Sequence, residues 1–486
     1  MRRTRLILAA IPAALVLNIA QGGVFPAGAG GPTGGDGTGT GTSATTLNGF
    51  TKQVVATGLA DPYEIIWGPD GFLWVTEKSG KKVTRVDPRT GAKSTALDLT
   101  EKAVHTEGAQ DGVLGLALHP DLLKDEGRDY VYVSYTYDSN TSPAEVDQRL
   151  RIDRYTYDSG TGTLGEPKNL ISGLASGSDH QSARLRHGPD GKLYYTIGDQ
   201  GANQLQHYCE PNRAQRLPTK EEIESKDWIA YRGKTLRLNP EDGSIPADNP
   251  VLGGVRSHVW AYGFRNSQGL DFGTDGTLYN TDQGPKTDDE VNILTKGTNY
   301  GWPHVAGYRD DKAYTFSEWS ASAPTPCADL TFNDLEVPES VPQQKETDWK
   351  GRFTEPVRTF GTVDSGFDFS DPKCGELAYI CWPSLANSSI TYYPGTGGIA
   401  EWRDSLLMTT LKDGSVYQLK LTDGGQEIAA VNRLWKAQNR YRDIALSPDG
   451  ESVYVATDSA GNVRDANGAP ATELENPGSI LVFRQK

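Results

Sequence analysis

HGPDGKLYYTIGD, residues 187–199, is the stretch that most directly indicates the fold of this chain, because similar phrases occur three more times. The other copies are WGPDGFLWVTE (67–77), FGTDGTLYNTDQG (272–284) and LSPDGESVYVATD (446–458). In each phrase an Asp-Gly turn supplies the positive φ that a tight hairpin needs, and an alternating strand with one buried face follows. Repeated hairpins and 55 glycines predict an all-β protein, a six-bladed β-propeller with long inserted loops.

Helical periodicity is scarce in the rest of the sequence. Only EVDQRLR (145–151) and PTKEEIESKD (218–227) are fair candidates for short helices. The segments 200–230 and 310–350 are therefore interpreted as long loops inserted between blades.

Each repeated strand ends in a polar group. These groups are Glu77, Asp199–Gln200, Asp282–Gln283 and Asp458. Equivalent strand ends of a propeller lie on one face around the axis, so these side chains predict a polar mouth where a ligand binds. The alternative is that the acids only cap turns, and the sequence leaves it open for any one of them.

The N-terminal region predicts export. MRRTR is basic, LILAAIPAALVLNIA is a short apolar run, and Ala27-Gly28-Ala29 is typical of a cleavage site, so residues 1–29 are interpreted as a secretory signal peptide. Residues 30–46, GGPTGGDGTGTGTSATT, are interpreted as a flexible Gly/Thr-rich linker. The propeller is predicted to span residues 47–486 of a secreted or periplasmic-type protein without a membrane span.

Charge and motif content exclude several classes of partner. The formal net charge of −15 at pH 7 argues against binding to nucleic acid or to anionic membranes, although a local basic pocket for a small anion is still allowed. No strand–G-x-G-x-x-G–helix unit is present, which disfavours a nicotinamide cofactor.

The four cysteines suit an exported protein with one or two disulfides. CGELAYIC can close a short loop, so Cys374 and Cys381 are predicted to pair, whereas the pairing of Cys209 and Cys327 stays open. No C-x-x-C pair occurs, which disfavours a structural zinc site.

Asp179 and His180 in GSDHQSARL (177–185) are the first candidate pair for chemistry. A histidine can act as a base near neutral pH, and a neighbouring carboxylate can orient it. The alternative, a structural hydrogen-bonding histidine, is commoner for any single residue.

A basic cluster is predicted from Arg265, Lys412, Arg440 and Arg442, because the last two point to one face if they lie on a strand. Each could instead pair with a nearby acid such as Asp413 or Asp443. Together they favour a small polyanionic ligand, since guanidinium groups bind carboxylates in a forked geometry.

TDQGPKTDDE (281–290) raises the possibility of a calcium site. Gln283, Gly284 and Pro285 offer amide and carbonyl oxygens, and Glu290 and Asp310 offer carboxylates, which are ligands that calcium accepts. The alternative is a solvated acidic loop.

Taken together, these motifs resemble the soluble quinoprotein glucose dehydrogenases, the PQQ-dependent aldose dehydrogenases of the glucose/sorbosone dehydrogenase superfamily. The resemblance spans Gly58 to Phe483 and rests on nine motifs in the family's order: AQDGVLGLALHP, SDHQSARL, YYTIGDQG, FRNSQGL, DQGPKTDDEVN, KGTNYGWPHVAGYRDD, CGELAYICWPS, NRYRDI and ENPGSI. It implies a six-bladed propeller, calcium and pyrroloquinoline quinone (PQQ), and oxidation of the C1 hydroxyl of glucose and other aldoses to the lactone. An external electron acceptor and a possible homodimer are implied as well.

The resemblance also assigns roles to individual residues. It implies that His180 is the general base, that Arg265 stabilises developing negative charge, and that Asp179 assists. Sugar contacts are implied for Gln110, Asp179, Tyr379 and Trp382. Cofactor contacts are implied for Arg265, Asn266, Tyr379, Ser384, Lys412, Arg440, Arg442 and Asp458.

Two kinds of calcium site follow from the resemblance. Gln283, Gly284 and Pro285 match ligands of the ion that polarises the quinone. Further, mostly structural, calcium positions are Glu290, Tyr300, Ala306, Tyr308, Asp310 and Glu346.

Some residues depart from the family pattern. Ser384 replaces a threonine, Phe264 and Ser267 flank Arg-Asn where other residues are usual, and the loop QHYCEPN (206–212) carries an unfamiliar Cys209. These changes affect the expected sugar selectivity more than the cofactor chemistry. Two alternatives remain, a non-catalytic sugar-binding propeller and a calcium-dependent lactonase.

Overall fold

Six antiparallel sheets of four or five strands dominate the part of the chain that the computed structural model describes, residues 45–47, 49–140 and 146–486. The predicted signal peptide, 1–29, and residues 30–44 of the predicted linker lie outside these residues. The first five sheets, numbered here as blades 1 to 5, each have four strands. The strands of blade 1 are Pro62–Trp67, Leu73–Glu77, Lys82–Val86 and Lys93–Asp98, and those of blade 2 are Val113–Leu118, Tyr130–Asp138, Gln148–Asp158 and Thr163–Ala175. The strands of blade 3 are Ser182–His187, Leu193–Ile197, Lys234–Leu238 and Val259–Tyr262, and those of blade 4 are Ser267–Phe272, Leu278–Asp282, Asp289–Leu294 and Arg358–Phe360. The strands of blade 5 are Asn387–Tyr393, Ser405–Thr410, Val416–Leu421 and Ile428–Leu434.

Blade 6 joins the two ends of the described chain. Its strands are Tyr441–Leu446, Ser452–Thr457, Ile480–Gln485, Phe50–Ala56 and Thr45–Leu47. The first strand of every blade contacts the first strand of the next, and the first strand of blade 6 contacts that of blade 1. The ring is therefore closed, which confirms the predicted six-bladed propeller.

The repeated phrase forms the hairpin between the first two strands of blades 1, 3, 4 and 6. In blade 3 the Asp190 carboxylate accepts a hydrogen bond from Lys192 N at 3.1 Å, and Gly191 has a φ of +72°. Gly191 N also donates to Gly188 O across the turn. The other three copies repeat this arrangement, so the Asp-Gly turn fixes the hairpin register.

Helices and smaller sheets occur in the connections. The two α-helices among the described residues are Lys220–Ser225, which lies in one predicted segment, and Ala378–Cys381. The other helix prediction is wrong, because residues 148–151 belong to the strand Gln148–Asp158, whose apolar side chains Leu150 and Ile152 are buried in the blade. The 3₁₀ turns are Leu205–His207, Ile229–Tyr231, Trp319–Ala321, Cys327–Asp329, Glu346–Asp348, Pro372–Leu377 and Ala400–Trp402, and the two-stranded ribbons are Val251–Leu252 with Val255–Arg256, Phe316–Ser317 with Gln343–Gln344, and Val463–Arg464 with Pro470–Ala471.

Two disulfides tie the loops. Cys374 and Cys381 are bonded, which confirms the predicted pair, and Cys209 is bonded to Cys327, 118 residues away. The second bond joins the long loop of blade 3 to the long loop of blade 4.

A buried guanidinium links most of the blades near the propeller axis. Arg184, on the first strand of blade 3, is 0% exposed and lies 3.0 Å from Glu64 of blade 1 and 2.9 Å from Asp443 of blade 6. It also donates at 2.9 Å to the carbonyl of Gln268 in blade 4 and to that of Ser388 in blade 5. Removing one partner of a buried ion pair leaves an uncompensated charge, so this residue is expected to dominate local stability.

We expect Arg184→Leu to destabilise the protein by about 3–5 kcal/mol, because buried Asp443 would lose the cation that it pairs with and buried Glu64 would keep only Arg186. Thermal and urea unfolding followed by circular dichroism measure the effect. The control is Arg89→Ala, which removes an arginine whose side chain is 85% exposed and pairs only with Asp87 of its own turn. If both variants unfold like the wild type, the axial arginine does not hold the blades.

Candidate active site

The site is built around His180, which lies in the loop that enters the first strand of blade 3. His180 is 4% exposed, and its Nδ1 is 2.7 Å from Oδ1 of Asp199, which follows the second strand of the same blade. Because a carboxylate accepts, the imidazole donates from Nδ1 and leaves Nε2 free to accept a proton. His180 has a φ of 42°, which is unusual for a residue other than glycine and typical of functional sites.

Asp199 is fully buried and accepts hydrogen bonds on both oxygens. Oδ1 accepts from His180 and from Gly201 N at 2.9 Å. Oδ2 accepts from Asn212 Nδ2 at 2.9 Å and from Trp302 Nε1 at 2.8 Å. This set of donors fixes the carboxylate and therefore the plane of the imidazole.

Gln204 connects the histidine to the cationic residue opposite. Its Nε2 lies 3.1 Å from His180 Nε2, and its Oε1 accepts from Arg265 Nη2 at 2.9 Å. The Gln204 amide thus lies between a base and a guanidinium, which is the position that a reacting hydroxyl would take.

Asp179 and Gln110 form a second polar pair beside the histidine. Gln110 Nε2 donates to Asp179 Oδ1 at 2.7 Å, and Asp179 Oδ1 is 3.8 Å from His180 Nε2. Burial alone raises the pKa of Asp179, but the charges of His180 and Arg265 outweigh it, so the pKa lies below its usual value. Asp179 therefore lies beside the His180 imidazole, whereas Asp199 sets the orientation of that imidazole.

Two of the predicted cations share one carboxylate. Arg440 Nε is 3.0 Å from Asp458, and Arg442 binds the same carboxylate with Nε at 2.7 Å and Nη2 at 2.9 Å. Burial raises the pKa of Asp458, but Arg442 and Arg440 outweigh it and lower the pKa to about 2. The alternative partners, Asp443 and Asp413, bind Arg184 and Arg433 instead.

Lys412 lies in the same region and is buried. Its Nζ donates to Ser384 Oγ at 2.6 Å and to the carbonyl of Tyr379 at 3.0 Å. Burial, followed by the charge of Arg464, lowers the pKa of Lys412 to about 7, and Arg265 and Arg440 add to this effect. The site therefore carries an excess of positive charge that an anionic ligand would neutralise.

Aromatic residues stand at the edge of this cluster. Tyr379 is 41% exposed, and its hydroxyl accepts from Asn462 Nδ2 at 2.6 Å. Trp382 packs edge-on against Phe369, and its indole Nε1 has no hydrogen-bond partner. The backbone carbonyl of Tyr379 accepts from Lys412, which ties this pair of aromatic residues to the basic cluster.

The loop with Gln283, Gly284 and Pro285 is held by buried Asp289. One Asp289 oxygen accepts from Gly284 N at 3.0 Å, and the other accepts from Leu385 N and Ala386 N. A Cβ at residue 284 would lie 1.9 Å from the carbonyl of Thr287, so the tight loop requires glycine. Gln283 Oε1 accepts from Asn266 Nδ2 at 3.0 Å, which places Asn266 beside the same loop.

The other predicted calcium positions lie around one turn, residues 306–310, but their side chains do not point at a common centre. Glu290 accepts from Gly307 N at 2.7 Å, and Glu346 accepts from the backbone N–H groups of Ala306 and Asp310. Burial raises the pKa of Glu346 to about 7 and that of Glu290 well above its usual value. Within residues 45–47, 49–140 and 146–486, no three histidine, cysteine or acidic side chains are close enough to hold a metal ion.

Tyr300 and Tyr308 differ in what they can contribute to that turn. The Tyr300 hydroxyl donates to the carbonyl of Ile293 at 2.6 Å and accepts from Thr295 N, so it is already occupied. Tyr308 is partly buried, and burial raises its pKa.

A cavity of about 520 Å³ lies beside Gln204, Pro285 and Trp302. Its outer wall is formed by residues 313–317 and 334–337 of the long blade 4 loop and by Phe369. His180 and Arg265 do not line the cavity themselves, but Gln204, which contacts both of them, does.

Sequence reasoning missed three residues of this site. Asp199, not Asp179, binds the imidazole; Gln204 lies between the base and Arg265; and the charge of Lys78 acts on Arg442 and Asp458. The sequence predicts Asp199 only as a polar group at the end of a repeated strand, and this position could have identified it as a site residue. No local sequence pattern indicates Gln204 or Lys78.

The chain matches the family model for glucose/sorbosone dehydrogenases over residues 59–327 and 364–465. It is 45% identical over 442 residues to quinoprotein glucose dehydrogenase B of Acinetobacter calcoaceticus, covering 90% of this chain and 91% of that protein. Aldose sugar dehydrogenase YliI of Escherichia coli is 23% identical over 415 residues, with 84% and 90% covered. The fold matches the PQQ-bound aldose sugar dehydrogenase of Streptomyces coelicolor with a TM-score of 0.58 at 23% identity, covering 90% and 98% of the two chains.

Proposed function

The chain belongs to the glucose/sorbosone dehydrogenase family, and we propose that it oxidises the C1 hydroxyl of glucose and other aldoses to the lactone with PQQ as cofactor. The sugar loses a proton from the hydroxyl and a hydride from C1, and bound PQQ supplies the two-electron acceptor. An external acceptor, such as a quinone, a cytochrome or a dye, then removes these electrons.

The observation that carries this proposal is the placement of His180 opposite Arg265. His180 Nε2 is free to take the hydroxyl proton because Nδ1 donates to Asp199. The Arg265 guanidinium lies across the Gln204 amide and supplies positive charge where negative charge develops. Displacement of the amide by a sugar hydroxyl would put the substrate between the two groups.

The basic cluster fits a planar tricarboxylate. Lys412, Arg440 and Arg442 are held close together, with Asp458 as the carboxylate that the two arginines share. Asn266 and Ser384 add neutral polar groups, and Tyr379 and Trp382 add aromatic edges. A sugar-binding protein without PQQ would not need so many buried cations, and neither would a lactonase.

Calcium is the second cofactor that we propose. Gln283, Gly284 and Pro285 would hold it through neutral oxygens, in a loop that Asp289 keeps in place. The ion would act there as a Lewis acid on the cofactor. For structural calcium we propose the turn of residues 306–310, where Glu290 and Glu346 accept hydrogen bonds from backbone N–H groups. Among the described residues these acids do not converge on one point, so an ion would have to draw Glu290, Asp310 and Glu346 together.

An oxidising compartment outside the cytoplasm is the proposed location. The two disulfides support it, as does the N-terminal segment 1–29 of the sequence. Among the described residues, no helix is long and apolar enough to cross a membrane. A homodimer stays a prediction from the family resemblance.

Reconstitution tests the proposed function. We expect apoprotein given PQQ and Ca²⁺ to reduce a dye when glucose is added, and PQQ to bind more tightly with Ca²⁺ than with chelator, by about 1–3 kcal/mol. The reason is that the neutral oxygens of residues 283–285 hold the ion poorly without the ligand's own charge. Calorimetric titration with and without Ca²⁺ measures the coupling. Equal PQQ affinity and equal activity in chelator would remove the metal from the mechanism.

We expect His180→Ala to lower kcat by at least ~10²-fold, the usual scale for a general base, while PQQ still binds. Steady-state dye reduction and PQQ titration measure the two effects. His119→Asn is the control, because His119 lies at a blade 2 hairpin and its Nδ1 accepts from the Asp121 N–H. Near-normal turnover of fully loaded His180→Ala would show that another group is the base.

PQQ affinity should fall as the pH rises through about 7. Lys412 has a pKa of about 7 in the free protein, so it is charged below this pH and binds a carboxylate strongly. Above it, binding must take up a proton, which weakens affinity by up to about tenfold per pH unit. Lys412→Met should bind PQQ weakly at pH 6 and lose this pH dependence, whereas hairpin variant Lys192→Met should keep it. Parallel titration curves for Lys412→Met and wild type would contradict the assignment.

A further inference from the structure

Asn212 uses both ends of its side-chain amide. Its Nδ2 donates to Asp199 Oδ2 at 2.9 Å, and its Oδ1 accepts from Ala214 N at 2.9 Å. The first bond reaches the carboxylate that orients His180, and the second closes a turn in the loop of Asn212 itself. Asn212 therefore connects the local fold of residues 212–214 to the catalytic imidazole.

The C-terminal end of this loop is held by a buried lysine. Lys234, on the third strand of blade 3, is fully buried and donates to the carbonyls of Arg213 at 3.0 Å, Ala214 at 2.8 Å and Arg232 at 2.8 Å. These carbonyls are its three hydrogen-bond acceptors, and burial lowers the pKa of Lys234 well below its usual value. A buried ammonium is costly unless it is hydrogen-bonded, and the three carbonyls supply those bonds, which ties the loop to this lysine.

The N-terminal end is held by covalent and polar contacts. Cys209 is bonded to Cys327 in the long blade 4 loop, and Tyr208 donates to the carbonyl of Leu330 at 2.7 Å. Glu210 accepts from Arg232 Nη1 at 3.0 Å. Residues 208–214 are thus fixed at both ends, with Asn212 between the two anchors.

We propose that Asn212 is a positioning residue for the general base, delivered to Asp199 by a loop that the Cys209–Cys327 disulfide and Lys234 hold in place. The inference rests on the proposed function, in which His180 accepts the proton of the substrate. The Asn212 amide and the Trp302 indole together keep Oδ2 of Asp199 satisfied, so that Oδ1 stays directed at Nδ1 of His180. Loss of the amide donor leaves Oδ2 with the Trp302 indole alone, which loosens the carboxylate, so that the imidazole no longer keeps a single orientation and tautomer.

The variant Asn212→Asp removes the hydrogen bond to Asp199 but keeps the hydrogen bond that closes the turn of residues 212–214. The aspartate keeps an oxygen that accepts from Ala214 N, but it cannot donate to Asp199 and places a like charge beside it. We expect kcat of the reconstituted enzyme to fall about 10- to 100-fold, the scale of a misplaced catalytic group, with little change in KM. Asn212→Ala should show a similar loss of kcat.

The tautomer of His180 is a second readout that does not depend on turnover. In apoprotein with ¹⁵N-labelled histidine, wild type should show His180 protonated at Nδ1, with its signal assigned by comparison with His180→Ala. Asn212→Asp should show a mixture of Nδ1- and Nε2-protonated forms. Near-ultraviolet circular dichroism checks that the variant keeps its fold.

Asn333→Asp is the matched control. Asn333 also accepts from a backbone N–H of its own turn, that of Leu335 at 3.0 Å, and it lies on the exposed blade 4 loop. We expect it to keep wild-type kcat and tautomer. An Asn212→Asp enzyme with wild-type kcat and a single Nδ1 tautomer would overturn the inference while leaving the proposed function intact, whereas a wild type without dye reduction would overturn the proposed function itself.

Discussion

The propeller depends on one buried cation near its axis. Arg184, on the first strand of blade 3, binds Glu64 and Asp443 and donates to two backbone carbonyls, so that groups from the first strands of four other blades surround it. A guanidinium removed from water needs both charge and geometry from its neighbours. The first strands of blades 1, 3, 4, 5 and 6 can satisfy it only in one register, and that register also sets where the loops that enter the strands begin.

The loops above these strands are fixed by acids at the ends of the second strands. Glu77 accepts from Ala60 N, and Asp282 accepts from the N–H groups of Arg265 and Asn266, as turn-capping residues would. Asp199 binds the His180 imidazole and Asp458 binds two arginines, so in blades 3 and 6 the same position serves the site. The acid at the end of the second strand therefore either caps a loop or binds a side chain of the site. Which of the two it does depends on the group that its carboxylate faces.

The sequence predicted what local patterns encode. Asp-Gly turns and alternating strands predicted the hairpins and the propeller, and the short C-x₆-C loop predicted the Cys374–Cys381 disulfide. Residue type and sequence context predicted His180 as a candidate base and Arg265 as part of a basic cluster. The specific role of each residue came from the family resemblance. The partner of His180 was not predicted, because Asp199 lies 19 residues away and adjacent Asp179 was the obvious choice. The helix predicted over residues 145–151 is wrong at 148–151, because pairing of the strand Gln148–Asp158 with two neighbouring strands overrides weak helical periodicity.

The distribution of charge in the mouth gives a reason to expect that ligands of the proposed PQQ pocket and of the loop of residues 283–285 bind together. Lys412, Arg440, Arg442 and Arg265 bring more positive charge to one side than Asp458 balances. Burial is the main cause that lowers the pKa of Lys412, and the charges of Arg464, Arg265 and Arg440 lower it further. The loop of residues 283–285 brings only neutral oxygens, although buried Asp289 lies directly behind it and also acts on Lys412. A polyanion placed between the two sides would neutralise the cluster and at the same time supply the charge that a divalent ion needs. The proposed PQQ and calcium sites would therefore complete each other, because Asp289 supports the loop of residues 283–285 and its charge also acts on Lys412.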